Sequence, residues 1–266
     1  MQANPSAAAR SPAEIYDAEF VPALFGPFAD IVAATAGIAP GAQVLDVACG
    51  TGVLACAAAR RVGEHGVVTG LDANPEMLAV ARRKPEPVEW VHARAEALPF
   101  AAASFDAVVS QFALMFFEDR AGALREMQRV LRRPGRLAVA VCGAVEDSPG
   151  YGALAALLDR LFGKPTGDAF RAPFALGDHD ALRALARQAG LADARVTSRT
   201  ATVRFPSVDA LVAAEHACVW TLGGMLDDAQ FERLRAAARP VLAPFVQPDG
   251  SVAFGMPAPL LTCDWP

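Results

Sequence analysis

The chain has 266 residues, of which 53% are hydrophobic, and its formal net charge is −5 at pH 7. This length and apolar fraction suit one large domain with a sizeable core. The acidic balance and the lack of a basic stripe argue against a nucleic-acid partner, which selects for a strongly positive face. The five cysteines include no C-x-x-C pair, so they indicate a reducing compartment and neither a disulfide framework nor a zinc site.

The first predicted element in the chain is a helix. Ser11 is its expected N-cap, Pro12 its first residue and Glu14 the residue that completes a capping box. A second helix is expected at about residues 28–36. Residues 1–10 lack the apolar core of a signal peptide, and no run of about 18 uninterrupted apolar residues occurs. The sequence therefore predicts a cytoplasmic protein without a membrane span.

Short apolar runs alternate with helical stretches from residue 42 onward. Strands are predicted at 43–47, 67–71, 88–92, 105–110, 136–141, 194–205 and 251–263. Helices are predicted at 53–62, 75–83, 119–131, 154–162, 178–188, 208–221 and 228–243. Near-continuous apolar strands separated by helices indicate a mostly parallel α/β sheet with helices on both faces.

A glycine-rich turn carries the strongest chemical signal. After a buried strand that contains Asp46, the chain turns through Gly50 and Gly52 into a helix. Glycine lets the backbone approach a ligand closely, and a helix N-terminus attracts a carboxylate. The carboxylate of Asp46 can take up an ammonium group, directly or through water, and would repel a pyrophosphate. These features together suit an amino-acid ligand.

The same turn fits a second type of ligand. Gly50-x-Gly52-x-x-Ala55 matches the fingerprint of nicotinamide-dinucleotide sites, G-x-G-x-x-G/A. Asp72, which follows the next predicted strand, can hold ribose hydroxyls in either case. The turn by itself therefore leaves both ligands open.

The wider set of motifs separates these two alternatives. The stretch from Leu45 to Gly52, LDVACGTG, resembles the LDxGCGTG motif of class I S-adenosylmethionine (SAM)-dependent methyltransferases. The resemblance continues through residues 70–78, 95–100, 104–109 and 130–137. It covers about residues 42–142 and is closest in type to the small-molecule methyltransferases of ubiquinone and menaquinone biosynthesis. It implies a Rossmann-like fold of seven strands, SAM as cofactor, and methyl transfer to a small molecule by in-line displacement.

The resemblance also implies a set of cofactor-binding residues at the ends of the first strands. They are Asp46, Ala48, Cys49, Gly50, Thr51, Gly52, Asp72, Ala73, Met77, Ala95, Glu96, Gln111 and Phe112. Among them, Asp72 is expected to hold the ribose, and Gln111 and Phe112 to flank the methionine half of SAM. Residues 115–117 fit a role at the site and a role in the core equally well.

The chain departs from the family pattern in three places. Ala48 replaces the first glycine of the turn, a change between small residues that should preserve it. Arg94 stands where many relatives carry an Asp that accepts from the adenine amino group. Because Arg cannot accept a hydrogen bond, adenine recognition is expected from the backbone of Ala95 and the side chain of Glu96. The third departure, at residues 132–135, shifts only a surface turn.

Two residues are candidates for a catalytic role. Tyr16, on the N-terminal helix, either contacts the ligand or simply packs. His216 lies within a predicted helix on the same face as Trp220, and it would act at the acceptor. Glu215 is a further candidate base for an oxygen or carbon nucleophile. No metal-ligand spacing is present, so no metal is expected.

The expected domain organisation has two parts. Helices of residues 1–40 cover the cofactor site of a single SAM-binding domain, residues 41–266. A mainly helical lid is inserted in its C-terminal third, at about residues 144–175 and 206–250, and its aromatic content favours an apolar or aromatic acceptor. A monomer or homodimer is expected. An NAD-dependent oxidoreductase and a non-catalytic SAM-fold binding protein remain as alternatives.

Overall fold

The computed structural model describes residues 10–265, and its strands form a single seven-stranded sheet. In chain order the strands are β1 Gln43–Val47, β2 Val67–Asp72, β3 Val88–His92, β4 Phe105–Gln111, β5 Leu131–Ala140, β6 Arg195–Phe205 and β7 Val252–Trp265. Their order across the sheet is β3-β2-β1-β4-β5-β7-β6. The first five strands pair in parallel, and β7 runs antiparallel to both β5 and β6. The predicted mostly parallel sheet is confirmed.

Helices cover both faces of this sheet. They are α1 Pro12–Ile15, α2 Gly26–Thr35, α3 Val53–Val62, α4 Pro75–Ala81, α5 Arg120–Val130, α6 Pro149–Phe162, α7 Lys164–Arg171, α8 His179–Gln188, α9 Val208–Ala217 and α10 Asp228–Leu242. Helix α2 packs on α3, and α5 packs on α8. The central strands are apolar along most of their length because both of their faces are covered, as Val44, Leu45 and Val108 illustrate with no exposed surface.

The N-terminal helical segment is continuous from α1 to α2. Its start has the predicted capping box, since the Glu14 N–H donates to Ser11 Oγ and the Ser11 N–H donates to Glu14 Oε2. Between the two α-helices lies a π-helix, Tyr16–Phe25, which contains Pro22. Proline has no N–H to donate within a helix, and wide π turns are frequently found at functional sites. The two helices expected from the sequence are therefore one segment.

This N-terminal segment is long and apolar enough to cross a membrane by length and composition. It spans Pro12–Thr35, 24 residues, with a mean hydropathy of 1.3 over its most apolar window, of which 39% is buried. The sequence prediction missed it because charged residues interrupt the apolar run. Its large side chains Phe20, Phe28 and Val32 are covered by the core of the protein itself.

The sheet has one topological switch point, between β1 and β4. From β1 the chain runs outward through β2 to β3, and it then returns to the other side of β1 as β4. In open α/β sheets, ligands bind outside the carboxyl ends of the strands at such a point. The switch therefore places the residues that follow Val47 and Gln111 at the mouth of a crevice.

The second half of the chain corrects several predicted boundaries. Helix α9 ends at Ala217 and not at residue 221, because the next residues turn tightly. In that turn the Gly223 N–H donates to the Cys218 carbonyl at 2.7 Å. His216 and Trp220 consequently do not share a helix face. Helix α7 was not predicted, and β5 begins at Leu131, within the helix expected to end there.

Trp90 of β3 packs the sheet against the start of α3. Its indole crosses Gly70, the paired residue on β2, and also Gly52, which caps α3. A Cβ at Gly70 would lie 2.5 Å from Cζ3 of Trp90, and a Cβ at Gly52 would lie 2.4 Å from Cη2. Both glycines are therefore needed to make room for the indole.

We expect the substitution Gly70→Ala to lower the free energy of unfolding by about 2 kcal/mol, because the added methyl group overpacks the core against Trp90. Urea denaturation monitored by circular dichroism measures this change. Adding Trp90→Leu should recover part of the loss, since removing the indole gives the methyl group space.

The matched control is Gly255→Ala, on strand β7. There the nearest atom to an added Cβ is the Thr200 methyl carbon at 3.3 Å, which can shift. Equal losses at Gly70 and Gly255, or simple additivity of Gly70→Ala with Trp90→Leu, would mean that the indole does not control this contact.

Candidate functional site

A cavity of about 410 Å³ opens at the carboxyl ends of the strands on both sides of the switch point. We call the part formed by the strand ends the strand end of the cavity; its lining residues are Ala48, Gly50, Asp72, Ala73, Asn74, Met77, Gln111 and Phe112. We call the part formed by later segments the lid end; its lining residues include Cys142, Tyr151, Phe170, Phe174, Glu215, Cys218, Trp220, Thr221 and Met256. The two ends belong to one continuous space.

The turn after β1 adopts left-handed backbone conformations. The φ angles are +57° at Ala48, +56° at Gly50 and +89° at Gly52. Glycine adopts them freely, whereas an alanine in this region costs about 1 kcal/mol. Phe112, after β4, also has a positive φ, +55°. Two non-glycine residues at the strand end are thus held in strained conformations, and such strain clusters at ligand sites.

Asp72 joins the turn after β1 to the turn after β2. Its Oδ2 accepts from the Gly50 N–H and its Oδ1 accepts from the Asn74 N–H, both at 2.8 Å. Burial raises the pKa of this carboxyl, and the backbone N–H groups of Asn74, Gly50 and Ala73 oppose the rise. Each carboxylate oxygen has a second lone pair, so Asp72 can still accept hydrogen bonds from a ligand in the cavity.

A carboxyl oxygen and an amide oxygen near the switch point are buried without a partner among residues 10–265. One is Oδ2 of Asp46, whose side chain is almost fully buried and whose pKa is held well above its ordinary value by burial. The other is Oε1 of Gln111, whose Nε2 donates to the Phe25 carbonyl at 2.9 Å. A buried polar atom without a partner is costly, so these acceptors suit a ligand that brings donors.

A second pocket of about 210 Å³ adjoins the strand end. It shares Ala48, Asp72 and Ala73 with the cavity and adds Ala95 and Glu96. Its rim carries Arg94, which forms ion pairs with Glu96 at 3.4 Å and with Glu118 at 2.9 Å. Arg94 therefore neutralises carboxylates at the rim.

Tyr16 covers the strand end from the N-terminal segment. Its ring stacks on Phe25 at 4.9 Å between centroids and meets Trp220 edge-on at 5.8 Å. Its hydroxyl oxygen lies 3.6 Å from where a Cβ would stand on Gly50. Burial, with the negative charge of Asp72, holds the pKa of Tyr16 well above its ordinary value, so the hydroxyl stays protonated near neutral pH.

The structure does not bring His216 to the cavity, contrary to the sequence expectation. Its ring stacks on Phe231 of α10 at 4.3 Å, and it is absent from the described lining. Its neighbour Glu215 lines the lid end instead. The expectation depended on a helix that continues to Trp220, and α9 ends before that residue.

The cofactor residues expected from the sequence fall into three groups. Those that line the cavity are Ala48, Gly50, Asp72, Ala73, Met77, Gln111 and Phe112. Ala95 and Glu96 line the adjoining pocket. The remaining residues, which lie outside the described lining of both spaces, are Asp46, Cys49, Thr51 and Gly52. They belong to the strand and turn that position the others.

Sequence reasoning missed several lining residues. Asn74 lies two residues after the end of the strand at Asp72, so its polar side chain after an apolar strand was an available signal. Phe25, Tyr151, Cys142 and Met256 carried no such signal, because they come from segments far apart in the chain. The part of the chain from residue 10 to residue 265 contains no group of three His, Cys, Asp or Glu side chains that could hold a metal ion.

Comparison with known protein families identifies a methyltransferase domain. Residues 45–139 match the family model described as a methyltransferase domain. Over 109 residues the chain is 48% identical to the ubiquinone/menaquinone biosynthesis C-methyltransferase UbiE of Hahella chejuensis. This alignment covers 39% of this chain and 44% of that protein. It is 39% identical over 117 residues to the demethylmenaquinone methyltransferase of Lysinibacillus sphaericus. That alignment covers 43% of this chain and 50% of that protein. The chain thus spans about half the length of these curated relatives.

Solved structures share the fold over most of the chain. The YcgJ protein of Bacillus subtilis superposes with a TM-score of 0.57 at 20% identity, covering 88% of this chain and 96% of that one. A SAM-dependent methyltransferase of Aquifex aeolicus superposes with a TM-score of 0.53 at 18% identity. The superposition covers 94% of this chain and 98% of that one. At this level of identity the likeness establishes the fold alone. Within that fold, residues 45–139 match a methyltransferase domain.

Proposed function

We propose that this protein transfers the sulfonium methyl group of SAM to a small apolar or aromatic molecule. The observation that carries the proposal is the single cavity that joins the glycine turn and Asp72 to a wall of aromatic rings. The printed names of the curated relatives, C-methyltransferase and demethylmenaquinone methyltransferase, support methyl transfer to a small quinone-type acceptor. Since the chain spans about half of those relatives, the acceptor is inferred from the cavity itself.

The residues of the strand end fit SAM. Asp72 has free lone pairs for ribose hydroxyls, and the pocket at Ala95 and Glu96 is placed for an adenine ring. The unpartnered Oε1 of Gln111 lines the cavity and suits the ammonium group of the methionine half. Asp46 lies behind this lining, so it would act through water, and the positive charge would favour its ionised form. SAM supplies a methyl group that is already activated for displacement.

The chain itself contributes positioning and the exclusion of water. Tyr16 remains protonated, so we assign it a hydrogen-bonding and covering role at the cofactor and not that of a base. The helices of residues 1–40, as far as the structure describes them, and the segments 144–175 and 206–250 together enclose the cavity in this proposal. We also propose that the protein is cytoplasmic and is a monomer or a homodimer.

The two alternative functions gain no support from the comparisons. A nicotinamide dinucleotide would bring a pyrophosphate to a turn flanked by Asp46 and Asp72, both of which are buried carboxyl groups. Like charges in such a site repel. A binding protein without turnover would bind SAM and its demethylated product and would not methylate an acceptor.

We expect Asp72→Asn to weaken the binding of S-adenosylhomocysteine, the demethylated product, by about tenfold or more. The amide cannot accept on both sides, so it loses either a bond to the turns or a bond to the ribose. Isothermal titration calorimetry of the wild-type and variant proteins measures the change.

The control for this experiment is Asp106→Asn. Asp106 also accepts from a strand backbone, the Gln43 N–H at 2.7 Å, and it pairs with Arg132, but it lies near the start of the central strand β4, at the opposite end from the cavity. It should leave the affinity unchanged. If wild-type protein bound NAD and not S-adenosylhomocysteine, the proposed function would be wrong.

We expect Tyr16→Phe to weaken S-adenosylhomocysteine binding by about fivefold, the effect of one lost hydrogen bond. The phenyl ring keeps the stacking on Phe25 and the edge contact with Trp220, so the melting temperature should change little. Calorimetry and a thermal melt on the same samples separate the two effects. An unchanged affinity would restrict Tyr16 to packing.

A further inference from the structure

The lid end of the cavity contains a buried carboxylic acid beside a buried phenol. The side chain of Glu215 on α9 is 3% exposed, and that of Tyr151 on α6 is 2% exposed. Both line the cavity. Glu215 Oε2 and the Tyr151 hydroxyl have no hydrogen-bond partner among residues 10–265. Two neighbouring polar groups, each buried and each without a partner, are expensive unless a ligand uses them.

The surroundings of this pair offer no positive charge. The groups that face Glu215 are Tyr151, Cys142, Cys218 and Thr221, and each is neutral or acidic. Glu215 takes part in no ion pair within the described residues. Burial raises the pKa of the Glu215 carboxyl to about 7, and the nearby hydroxyl groups of Thr221 and Tyr151 oppose the rise. The carboxyl group therefore gains or loses its proton near neutral pH.

The other polar side chain at this end is already used. Thr221 Oγ1 donates to the main-chain carbonyl of Glu215 at 3.0 Å, which holds the turn after α9 against the helix. Around the pair the wall is apolar and largely aromatic, with Phe170, Phe174 and Met256. A ligand at the lid end therefore meets one carboxyl group and one phenol that lack partners among residues 10–265, surrounded by aromatic rings, thiols and the indole of Trp220.

We propose that Glu215 and Tyr151 bind a hydroxyl group on the ring of the acceptor, and that Glu215 removes its proton as the methyl group is transferred. This inference rests on the proposed function. It makes the acceptor a phenol or an enol, and it makes Glu215 the catalytic base that His216 was expected to be.

A hydroxyl group matches the pair better than the alternatives do. It donates to the carboxylate and accepts from the Tyr151 hydroxyl, whereas an ammonium group can only donate. An uncharged aromatic amine accepts poorly, because its lone pair is delocalised into the ring. A charged amine would also have to give up its hydration in an apolar cavity, which costs far more than for a neutral hydroxyl. A plain hydrocarbon would leave both polar groups without partners.

The carboxylate of Glu215 takes the proton from the acceptor hydroxyl, and the electron pair released on oxygen, or on a carbon conjugated with it, forms the bond to the methyl carbon. The bond from that carbon to sulfur breaks with its electron pair on sulfur. The proton then leaves Glu215 to solvent, which regenerates the carboxylate for another turnover.

Three probes of one shape test the recognition of the hydroxyl group: 2-naphthol, 2-naphthylamine and naphthalene. Each is titrated by calorimetry into the full chain saturated with S-adenosylhomocysteine. We expect 2-naphthol to bind at least about tenfold more tightly than the other two. Equal binding of the three, tighter binding of the amine, or no binding of any probe to the saturated protein would overturn the inference.

Variants of the pair identify the groups responsible. Glu215→Gln should weaken 2-naphthol binding by about tenfold and leave the affinities for naphthalene and S-adenosylhomocysteine unchanged. Tyr151→Phe should weaken 2-naphthol binding by about fivefold. The control is Glu232→Gln, an exposed Glu on α10 paired with Arg235, which should change nothing. Normal binding of 2-naphthol to Glu215→Gln would overturn the proposal.

The pH dependence tests the role of Glu215 as a base. The affinity of the wild-type protein for 2-naphthol should rise with pH through about 7, as the carboxylate forms, and that of Glu215→Gln should stay level. A wild-type affinity that falls over this range would make Glu215 a donor and would overturn the proton transfer.

A melting-temperature series without any probe gives an independent readout. Because the pKa of Glu215 is raised in the folded chain from 4.5 to about 7, its contribution to stability is present below the lower value and is lost as the pH rises through the higher one. We expect the melting temperature of Glu215→Gln relative to wild type to increase between about pH 5 and about pH 8. A difference that does not change with pH would overturn the assignment.

The outcomes separate this inference from the proposed function. If S-adenosylhomocysteine does not bind to the folded wild-type protein, the proposed function fails, and this inference fails with it. If it binds and the three probes are not distinguished, only the hydroxyl-binding role of Glu215 and Tyr151 fails.

Discussion

The carboxylate of Asp72 is the contact on which the rest of the site depends. It accepts from the Gly50 N–H and from the Asn74 N–H, so one side chain holds the turns after β1 and β2 in a fixed relation. The left-handed backbone at Ala48 and Gly50 is strained or unusual, and it persists because neighbouring contacts of this kind determine it. The buried carboxylate keeps the capacity to accept further bonds from a ligand.

The N-terminal segment completes what the sheet begins. Its π-helix presents the Phe25 carbonyl to Gln111 and stacks Tyr16 on Phe25, so both sides of the switch point are covered by one segment. This arrangement explains why such an apolar helix packs in the fold. It also joins the strand end of the cavity to its lid end, because Tyr16 contacts Trp220 from the turn after α9.

Polar groups are placed differently at the two ends of the cavity. At the strand end they come from backbone turns and short side chains, which suit the polar parts of a cofactor. At the lid end the main polar groups are the side chains of Glu215 and Tyr151, which lie among aromatic rings. A carboxyl group whose pKa is raised by burial to near 7 is a common means of proton transfer in enzymes. In the proposed function, the sheet binds the cofactor and the later segments carry the acceptor chemistry.

The sequence by itself determined the sheet, its covering helices and the methyltransferase-type motifs, because apolar periodicity and the glycine turn are local patterns. Most of the residues expected to bind the cofactor lie at the strand ends for the same reason. Only the tertiary structure decided which titratable side chain of α9 lines the cavity. Glu215 reaches the lid end, where it meets Tyr151 from a distant helix, whereas His216 stacks on Phe231 of α10. Contacts between remote segments leave no local pattern in a single sequence.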